Sequence, residues 1–388
     1  MSIADSKYIK SMNRKILIET ILENGSISRS ELARKTGLNK STVSDQISGL
    51  IEENLLIEEE ATSSTGGRKP INLHINKNAG YSIGIDFDEP ILFIQVTDLL
   101  GNSIESRSLE LENLSFQKVI ELLIEELANI RHSFNSNYKP FGLVGIGVGI
   151  HGIVRKDEHV VFTPKLQWTD IDIKSSLEET FNVPVFIDNN ANLCAYAEQV
   201  FNYSIEDLFC VTMYSGIGLG IIKDRQIYRG YQGFAGEIGH MIVERDGKLC
   251  PCGNRGCWER YASEKAVFDE FKSQQIITDS INIKEMLLNK QHMDIFESFY
   301  DYLAIGLNNI INIFNPETII LNGDILNKNP HIIKEIEDRL KSRMNNYSQI
   351  VPSCLGKNAG ALGGSVVSLR EFYGVNRINL TTNKNEVI

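Results

Sequence analysis

Residues 236–259 read GEIGHMIVERDGKLCPCGNRGCWE and form the densest group of metal-binding side chains in the chain. Cys250, Cys252 and Cys257 fall within eight residues, and His240 lies ten residues before the first of them. Three thiolates and one imidazole are the ligand set of a closed, tetrahedral structural zinc site. The proline and glycines between the cysteines favour the tight turns that bring three sulfurs together. We therefore predict a zinc loop over 236–259.

Two other interpretations of these cysteines are weaker. Incidental free thiols are usually scattered and buried, whereas these are clustered. A disulfide would need an oxidising compartment, and nothing in the chain indicates export.

The same stretch resembles a known signature. GEIGH, followed by CxCGxxGCxE at 250–259, is similar to the motif of the ROK family of sugar kinases and sugar-responsive repressors. In that family the histidine and the three cysteines hold zinc, and the two glutamates and the histidine reach the bound sugar. The resemblance implies that Glu237, His240 and Glu259 are sugar ligands. One ring nitrogen of His240 can face the metal while the other meets a sugar hydroxyl.

Length and composition set the broad class. The chain has 388 residues, of which 42% are hydrophobic and 23% charged, as expected for a globular protein of two or three domains. No window approaches 18 consecutive apolar residues, and the first residues lack the apolar run of a signal peptide. Reduced cysteines together with a zinc loop favour a cytoplasmic location.

The net charge of −11 is unevenly distributed. Residues 1–78 hold 11 of the 39 basic and 10 of the 50 acidic residues, which leaves 28 basic and 40 acidic residues for the remainder. An acidic body with a near-neutral head is compatible with DNA binding by the head alone. Charge alone therefore does not decide whether the head binds DNA, and the sequence motif has to decide it.

Residues 1–78 are predicted to form a winged helix-turn-helix DNA-binding domain. A helix over 13–24 is followed by a second helix that opens with the capping box at Ser28 and stops at Gly37. Asn39 caps a third helix with apolar residues along one face. A short glycine turn between two helices is the helix-turn-helix arrangement.

The predicted DNA-contacting side chains lie on the third helix and on the wing. The wing, TSSTGGRKP at 62–70, separates the extended stretches Leu55–Glu58 and Ile71–Ile75. Short polar side chains read base edges and phosphates, and an arginine at a glycine-rich tip can enter a narrow minor groove. A solvated hairpin tip and a protein-binding head are the alternatives. The candidate DNA-binding residues are Lys40, Ser41, Thr42, Ser44, Gln46, Arg68 and Lys69.

From Tyr81 onward, strands and helices alternate in an α/β pattern, and the family resemblance implies a two-lobed actin-like or ribonuclease-H-like sugar-sensing domain over 79–388. The last residues, NRINLTTNKNEVI, lack periodicity and are predicted to be a loose tail. The predicted helices of this region are 116–132, 175–181, 191–201, 263–274, 282–290, 294–314, 330–344 and one from Asn358.

Two departures from the family's kinases favour a regulator that is not an enzyme. Where kinases have a glycine turn for ATP phosphates, this chain has Phe87-Asp88-Glu89-Pro90, which adds negative charge and a proline without an N–H donor. At the position of the kinases' catalytic aspartate the chain has Asn190, and an amide cannot act as a general base near neutral pH. Asp188 and the glycine-rich stretch 215–220 leave a residual ATP-dependent sugar kinase as the alternative. A zinc-dependent partner-binding protein is the third possibility.

Within the family, LNKSTVS at 38–44, GGRKP at 66–70 and DNNANLCAYAE at 188–198 resemble xylose-responsive repressors. This resemblance adds Asn189 and Asn190 to the sugar ligands and implies a homodimer that binds operator DNA and is released by free D-xylose. The neighbouring stretches His151-Gly152 and Thr163–Trp168 are secondary candidates. Trp168 is either a core residue or a stacking platform for the sugar, and the sequence leaves xylose and hexose both open.

Overall fold

The structure is a computed structural model that describes residues 6–60, 71–88, 90–111, 115–164, 166–275 and 293–381. Its contacts divide the chain into two compact units. The chain leaves unit 1 and returns to it twice, so unit 1 contains both the first and the last described residues. Unit 1 comprises Met1–Asn189, Gln199–Ser204 and Gly360–Ile388, and unit 2 comprises Asn190–Glu198 and Ile205–Ala359.

Unit 1 begins with the head, a three-helix domain with a small antiparallel sheet in the order β1-β3-β2. Its apolar core is buried on all three helices and on the inner face of β3. The predicted helix-turn-helix with flanking strands is therefore confirmed. The elements are α1 Ser6–Asn24, β1 Ile27–Ser28, α2 Arg29–Thr36, α3 Lys40–Glu52, β2 Leu56–Glu60 and β3 Ile71–Ile75.

The helix ends of the head are where the sequence places them. The Ser28 hydroxyl accepts the backbone N–H of Glu31 at 3.3 Å, and the Asn39 side chain accepts that of Thr42 at 2.7 Å. Gly37 ends α2 in the left-handed conformation, with φ of 70°. These local hydrogen bonds satisfy N–H groups that the first turn of a helix leaves unpaired. They fix the entry of α3, the predicted recognition helix.

The rest of unit 1 is built on a five-stranded mixed sheet in the order β11-β7-β4-β5-β6. The three strands β11, β7 and β4 are parallel, so their carboxyl ends lie at one edge. A second, three-stranded sheet of β8, β9 and β10 is short. The elements are β4 Gly80–Asp88, β5 Ile91–Asp98, β6 Ser103–Glu110, α4 Phe116–Phe134, β7 Gly142–Ile150, β8 Ile153–Val154, β9 Val160–Phe162, β10 Thr169–Ile171, α5 Ile173–Phe181 and β11 Val185–Asn189.

The last helix of the chain closes this sheet at unusually short range. A Cβ atom built on Gly147 of β7 would overlap the carbonyl of Gly364, and one on Gly84 of β4 would overlap the carbonyl of Ala361. Glycine is the residue that permits such an approach between a strand and a helix backbone. The helix, Ala359–Tyr373, is called α12 below.

Unit 2 contains a second five-stranded sheet, in the order β14-β13-β12-β15-β16, and a core that includes Trp258 and most of the long helix α9. Helix α6 starts in unit 2, and its last three residues belong to unit 1. The elements are α6 Asn190–Phe201, β12 Leu208–Thr212, β13 Gly218–Lys223, β14 Gln226–Ile227, α7 Glu259–Ala262, α8 Glu264–Ser273, α9 Met293–Phe314, β15 Thr318–Asn322, α10 Asp324–Lys328, α11 Ile332–Glu337 and β16 Gln349–Pro352.

The predicted helix over 330–344 is wrong in its second half. The structure ends α11 at Glu337, and turns follow. Arg339 folds back to donate to Asp301 at 2.8 Å and to the backbone carbonyl of Glu335, so its contacts fix a turn where periodicity indicated a helix. The helix predicted at 282–290 lies outside the described residues. Among the described helices, none has the length and apolarity needed to cross a membrane.

Candidate functional site

The predicted zinc ligands come together in unit 2. The loop folds back on itself through bridges between Ile242 and Cys257 and between Leu249 and Arg255. Gly256 has a φ of 77°, and a Cβ there would overlap the carbonyl of Glu244, so this turn requires glycine. This hairpin-like path is what brings the distant His240 next to the cysteines.

The four ligand atoms fit a tetrahedral metal site. The imidazole and the sulfurs of Cys250, Cys252 and Cys257 all lie within 4.8 Å of one another. The Cys252 and Cys257 sulfurs are 3.6 Å apart, and the Cys250 sulfur is 3.7 Å from Nδ1 of His240. Zinc–sulfur bonds of 2.3 Å at tetrahedral angles place sulfurs about 3.8 Å apart. The donor set and its spacing therefore suit an ion such as zinc.

His240 presents its two ring nitrogens to different neighbours. Nδ1 lies toward the thiols, whereas Nε2 is 3.8 Å from the Glu237 carboxylate. The Glu259 carboxylate lies 3.7 Å from Nδ1 and accepts from the Cys250 thiol at 3.1 Å. Three of the five predicted sugar ligands, Glu237, His240 and Glu259, therefore form one continuous cluster at the edge of the metal ligands.

The glycine-rich stretch 215–220 has packing partners that account for its composition. A Cβ on Gly220 would overlap the Ala191 carbonyl, so this glycine lets β13 approach the first turn of α6. A Cβ on Gly216 would come within 2.9 Å of the Glu259 carboxylate. Close approach to α6 and to the acidic cluster explains these two glycines without a bound phosphate.

The remaining predicted sugar ligands, Asn189 and Asn190, fall in different units. The Asn189 amide donates to the Gly152 carbonyl at 2.8 Å, which ties the end of β11 to one of the secondary candidate loops. Asn190 opens α6, is 5% exposed, and lies 3.8 Å from the Cys194 sulfur. Amide side chains of this kind both donate to and accept from hydroxyl groups.

Trp168 is a core residue. It is 7% exposed, and its ring packs edge-on against Phe87 and Phe116, with centroids 5.6 and 5.0 Å away. A ring enclosed by two aromatic neighbours offers no open face to a sugar, so the stacking-platform alternative is wrong. His151 lies 3.4 Å from the buried Asp86 carboxylate. Within the secondary candidate stretch Thr163–Trp168, Lys165 lies outside the described residues.

The predicted DNA-binding surface is partly exposed on α3. Lys40, Ser41 and Ser44 are exposed, and Thr42 is half-buried. Gln46 is buried, at 7% exposure, and its contact with DNA stays a prediction. Arg68 and Lys69 of the wing lie outside the described residues.

One buried titratable group, Glu264, could not be identified from the sequence, because a glutamate in the first turn of a helix such as α8 is ordinarily exposed. Its side chain is 6% exposed and accepts the backbone N–H of Ile325 at 2.5 Å. Burial raises the pKa of Glu264 to about 7; Asp324 acts in the same direction, and the Ile325 N–H opposes it. The Glu264 carboxyl therefore links the first turns of α8 and α10. The stability of the folded protein depends on pH through the protonation of this group.

We expect Glu264→Gln to flatten the pH dependence of unfolding. Because the folded pKa lies above the unfolded value of 4.5, the folded state gains stability below pH 4.5 and loses it as pH rises through 7. The full loss is roughly 3 kcal/mol. In thermal unfolding between pH 5.5 and 8, the melting temperature of the Gln variant should therefore rise relative to that of the native protein as pH rises. Glu270→Gln, on the same helix but 39% exposed, is the control; parallel curves for all three proteins would contradict the expectation.

The fold and the cluster agree with comparisons to known proteins. The pattern of the ROK family matches residues 83–371, and that of a winged helix-turn-helix DNA-binding domain matches residues 12–57. The chain belongs to the ROK family and is a transcriptional regulator with a helix-turn-helix head.

Its relatives include xylose repressors. The xylose repressor of Bacillus subtilis is 41% identical over 383 residues, which cover 96% of this chain and 98% of that protein. The xylose repressor of Caldicellulosiruptor bescii is 33% identical over 81% of this chain and 83% of its own length.

Solved structures show the same fold. A ROK family transcriptional regulator described as a homologue of the E. coli MLC protein superposes with a TM-score of 0.79 at 22% identity, covering 94% of this chain and 97% of that one. A ROK family glucokinase from Streptomyces griseus, in complex with glucose and AMPPNP, superposes with a TM-score of 0.65 at 24% identity over 74% of this chain and 99% of its own. The two-lobed ROK architecture predicted from the resemblance is therefore confirmed.

Proposed function

We propose that this protein is a repressor of sugar-utilisation genes that leaves its operator when it binds a free sugar, D-xylose. The observation that supports it most directly is the cluster of Glu237, His240 and Glu259. Its carboxylates accept hydrogen bonds from hydroxyl donors, and Nε2 of His240 faces away from the thiols toward Glu237. The cluster is anionic, so a phosphorylated sugar would meet like charge. The choice of xylose rests on the names of the relatives.

In this proposal zinc is held by His240, Cys250, Cys252 and Cys257. When bound, the ion supplies folding energy to the loop and fixes which nitrogen of His240 remains available to the sugar. The loop's own residues orient Glu237 and Glu259 around that nitrogen. The ion has a structural role here, since all four of its positions are filled by protein ligands.

We also propose that the protein is not an enzyme. Asn190 occupies the position of the kinases' general base, and an amide accepts no proton near neutral pH. β4 ends at Asp88, and only two residues, the second of them Pro90, precede β5, so this hairpin offers no run of backbone N–H groups to a phosphate. Asn190→Asp alone should therefore leave sugar phosphorylation undetectable, because nucleotide positioning supplies most of phosphoryl-transfer catalysis.

The domain boundary at 78/79, the homodimer and the cytoplasmic location belong to the same proposal. A dimer places two heads on half-sites about one helical turn apart, and a protein that acts on operator DNA works where that DNA is. The sugar then favours, by its differential affinity, a conformation whose heads no longer match that spacing.

The experiment is a titration of the purified protein with xylose, glucose and their phosphates. Calorimetry measures sugar binding, and fluorescence anisotropy with the protein's own upstream DNA measures release. We expect free xylose to bind, to release the DNA and to raise the melting temperature by mass action. Tight binding of a phosphosugar, with none of the free sugars, would overturn the inducer and the site together.

Two variants should separate the two sites within that titration. Glu237→Gln should keep operator affinity but lose release, because a carboxylate acceptor for sugar hydroxyls is gone. Lys40→Ala, on the exposed start of α3, should bind sugar normally yet weaken operator binding and, if it contacts phosphate, reduce the salt slope by about one unit. Ser348→Ala, remote in sequence from both sets, is the control. Normal release in Glu237→Gln would remove this residue from the site.

A further inference from the structure

The segment that follows α12, residues 375–381, contacts the first helix of the head. One carboxylate oxygen of Glu19 accepts the backbone N–H groups of Asn376, at 2.8 Å, and Arg377, at 3.3 Å. The Lys15 ammonium, one turn earlier on α1, donates to the Asn376 side chain at 2.8 Å. These contacts join residues about 360 positions apart in the sequence, and all of them lie within unit 1.

The other face of the same segment is anchored in the body of unit 1. Ile378 and Leu380 are buried, and the N–H of Leu380 donates to the carbonyl of Val200 at 2.9 Å. The Asn379 amide donates to the Ser204 hydroxyl at 3.0 Å. The described part of the predicted loose tail, residues 376–381, is therefore fixed by contacts, and Leu380 lies against the last turn of α6.

The head is also connected to the body through the covalent link over 76–80. There the N–H of Phe141 donates to the Ala79 carbonyl at 2.8 Å, and the N–H of Leu99 donates to the Lys77 carbonyl at 3.2 Å. An attachment on a different element restricts rotation of the head about this link. Glu19 and Lys15 supply such an attachment.

We propose that segment 375–381 is a latch that fixes the orientation of the DNA-binding head, and that Glu19 is the positioning residue that closes it. This inference rests on the proposed function and states how binding of the sugar would change the orientation of the head. Helix α6 begins at Asn190, a proposed sugar ligand, and its far end at Val200 bonds the latch. Helix α6 therefore connects a residue of the proposed sugar site to the segment that Glu19 holds. A displacement of α6 would be transmitted to the head through the hydrogen bonds of Val200 and Glu19 to this segment.

The geometry distinguishes this contact from an ordinary surface ion pair. Exposed pairs of long charged side chains contribute little because both ends are mobile and solvated. Here a single carboxylate receives two consecutive backbone N–H groups, so the partner is a main chain already fixed by Ile378 and Leu380. Hydrogen bonds to an ionised acceptor are also stronger than neutral ones.

The test uses Glu19→Ala, Glu19→Gln and the matched control Glu23→Ala in the full-length protein. Glu23 lies one turn further along α1, is exposed, and carries the same charge. For each protein, operator affinity is measured by anisotropy with and without xylose, sugar affinity by calorimetry, and hydrogen exchange by mass spectrometry of peptides that cover 374–381.

We expect Glu19→Ala to bind sugar within twofold of the native protein while the ratio of operator affinities without and with sugar falls at least tenfold. Its 374–381 peptides should exchange faster. Glu19→Gln keeps an acceptor oxygen at the same reach and should retain most of the ratio, and Glu23→Ala should match the native protein in every measurement.

An unchanged affinity ratio or unchanged exchange in Glu19→Ala would overturn the latch. If no sugar releases the native protein, the proposed function fails and the signalling role fails with it. Exchange at 374–381 would then still decide whether Glu19 fixes the head, so the two failures are distinguishable.

Discussion

Cys257→Ser protein is expected to purify without bound zinc and with residues 236–259 open to protease. Cys257 is fully buried, bridges to Ile242 and precedes Trp258, whose indole N–H donates to the Tyr302 carbonyl at 2.7 Å. Loss of one thiolate from a four-ligand site removes most of the metal affinity, and structural zinc contributes on the order of 10 kcal/mol to folding in small domains. The loop and the carboxylates of Glu237 and Glu259 attached to it should therefore lose their order together.

Elemental analysis and limited proteolysis measure this outcome, with Cys354→Ser as the control. Cys354 is exposed and lies outside the loop, so its replacement removes a thiol and leaves the ligand set intact. The control should keep about one zinc ion per chain. A native protein that purifies without zinc, or a Cys257→Ser protein that retains it, would contradict the metal site.

Gly147→Val is expected to disrupt unit 1. A Cβ at this position would occupy the space of the Gly364 backbone, and backbone atoms cannot move aside as a flexible side chain can. Either β7 or α12 must shift, which breaks the ladder with β4 and β11. We expect a loss of more than about 3 kcal/mol of unfolding free energy, beyond the usual range for overpacked cores.

Urea denaturation followed by circular dichroism measures the effect. Gly49→Ala is the control, because nothing lies within 4 Å of its added Cβ and alanine is the better helix former by roughly 0.5–1 kcal/mol. The two glycine replacements should therefore change stability in opposite directions. A Gly147→Val protein that unfolds at the native urea concentration would show that α12 does not sit as close to the sheet as the structure has it.

Sequence reasoning succeeded where the determinant is local. The caps at Ser28 and Asn39 and the glycine stop at Gly37 depend on side chains within three residues of the helix end. Sequence reasoning failed where contacts with other side chains determine the secondary structure. The predicted helix over 330–344 ends early, and Arg339 beyond its end contacts Asp301 and Glu335. Strand β1, two residues long, exists because β3 pairs with it from more than 40 positions away.

In the candidate site, too, the local motif could be predicted from the sequence, whereas features that depend on distant residues could not. The motif identified His240 and its three cysteines, and the structure brings all four together. It could not say which nitrogen of His240 meets the thiols, because that depends on how the whole loop folds back. Trp168 was ambiguous for the same reason, since its neighbours Phe87 and Phe116 come from other parts of unit 1. The buried carboxyl of Glu264 depends on α10, about 60 residues later.

The position of α12 has a consequence for the order in which the protein is made. Gly364, which β7 needs as its neighbour, is synthesised 217 positions after Gly147. At about 5–20 residues per second, that interval lasts roughly 10–40 s. During this interval the nascent chain already contains every core residue of the helix-turn-helix head. The five-stranded sheet of unit 1 still lacks α12 and the segment 375–381. A chain that ends early would therefore contain the complete helix-turn-helix head without the helix that closes the sheet of unit 1.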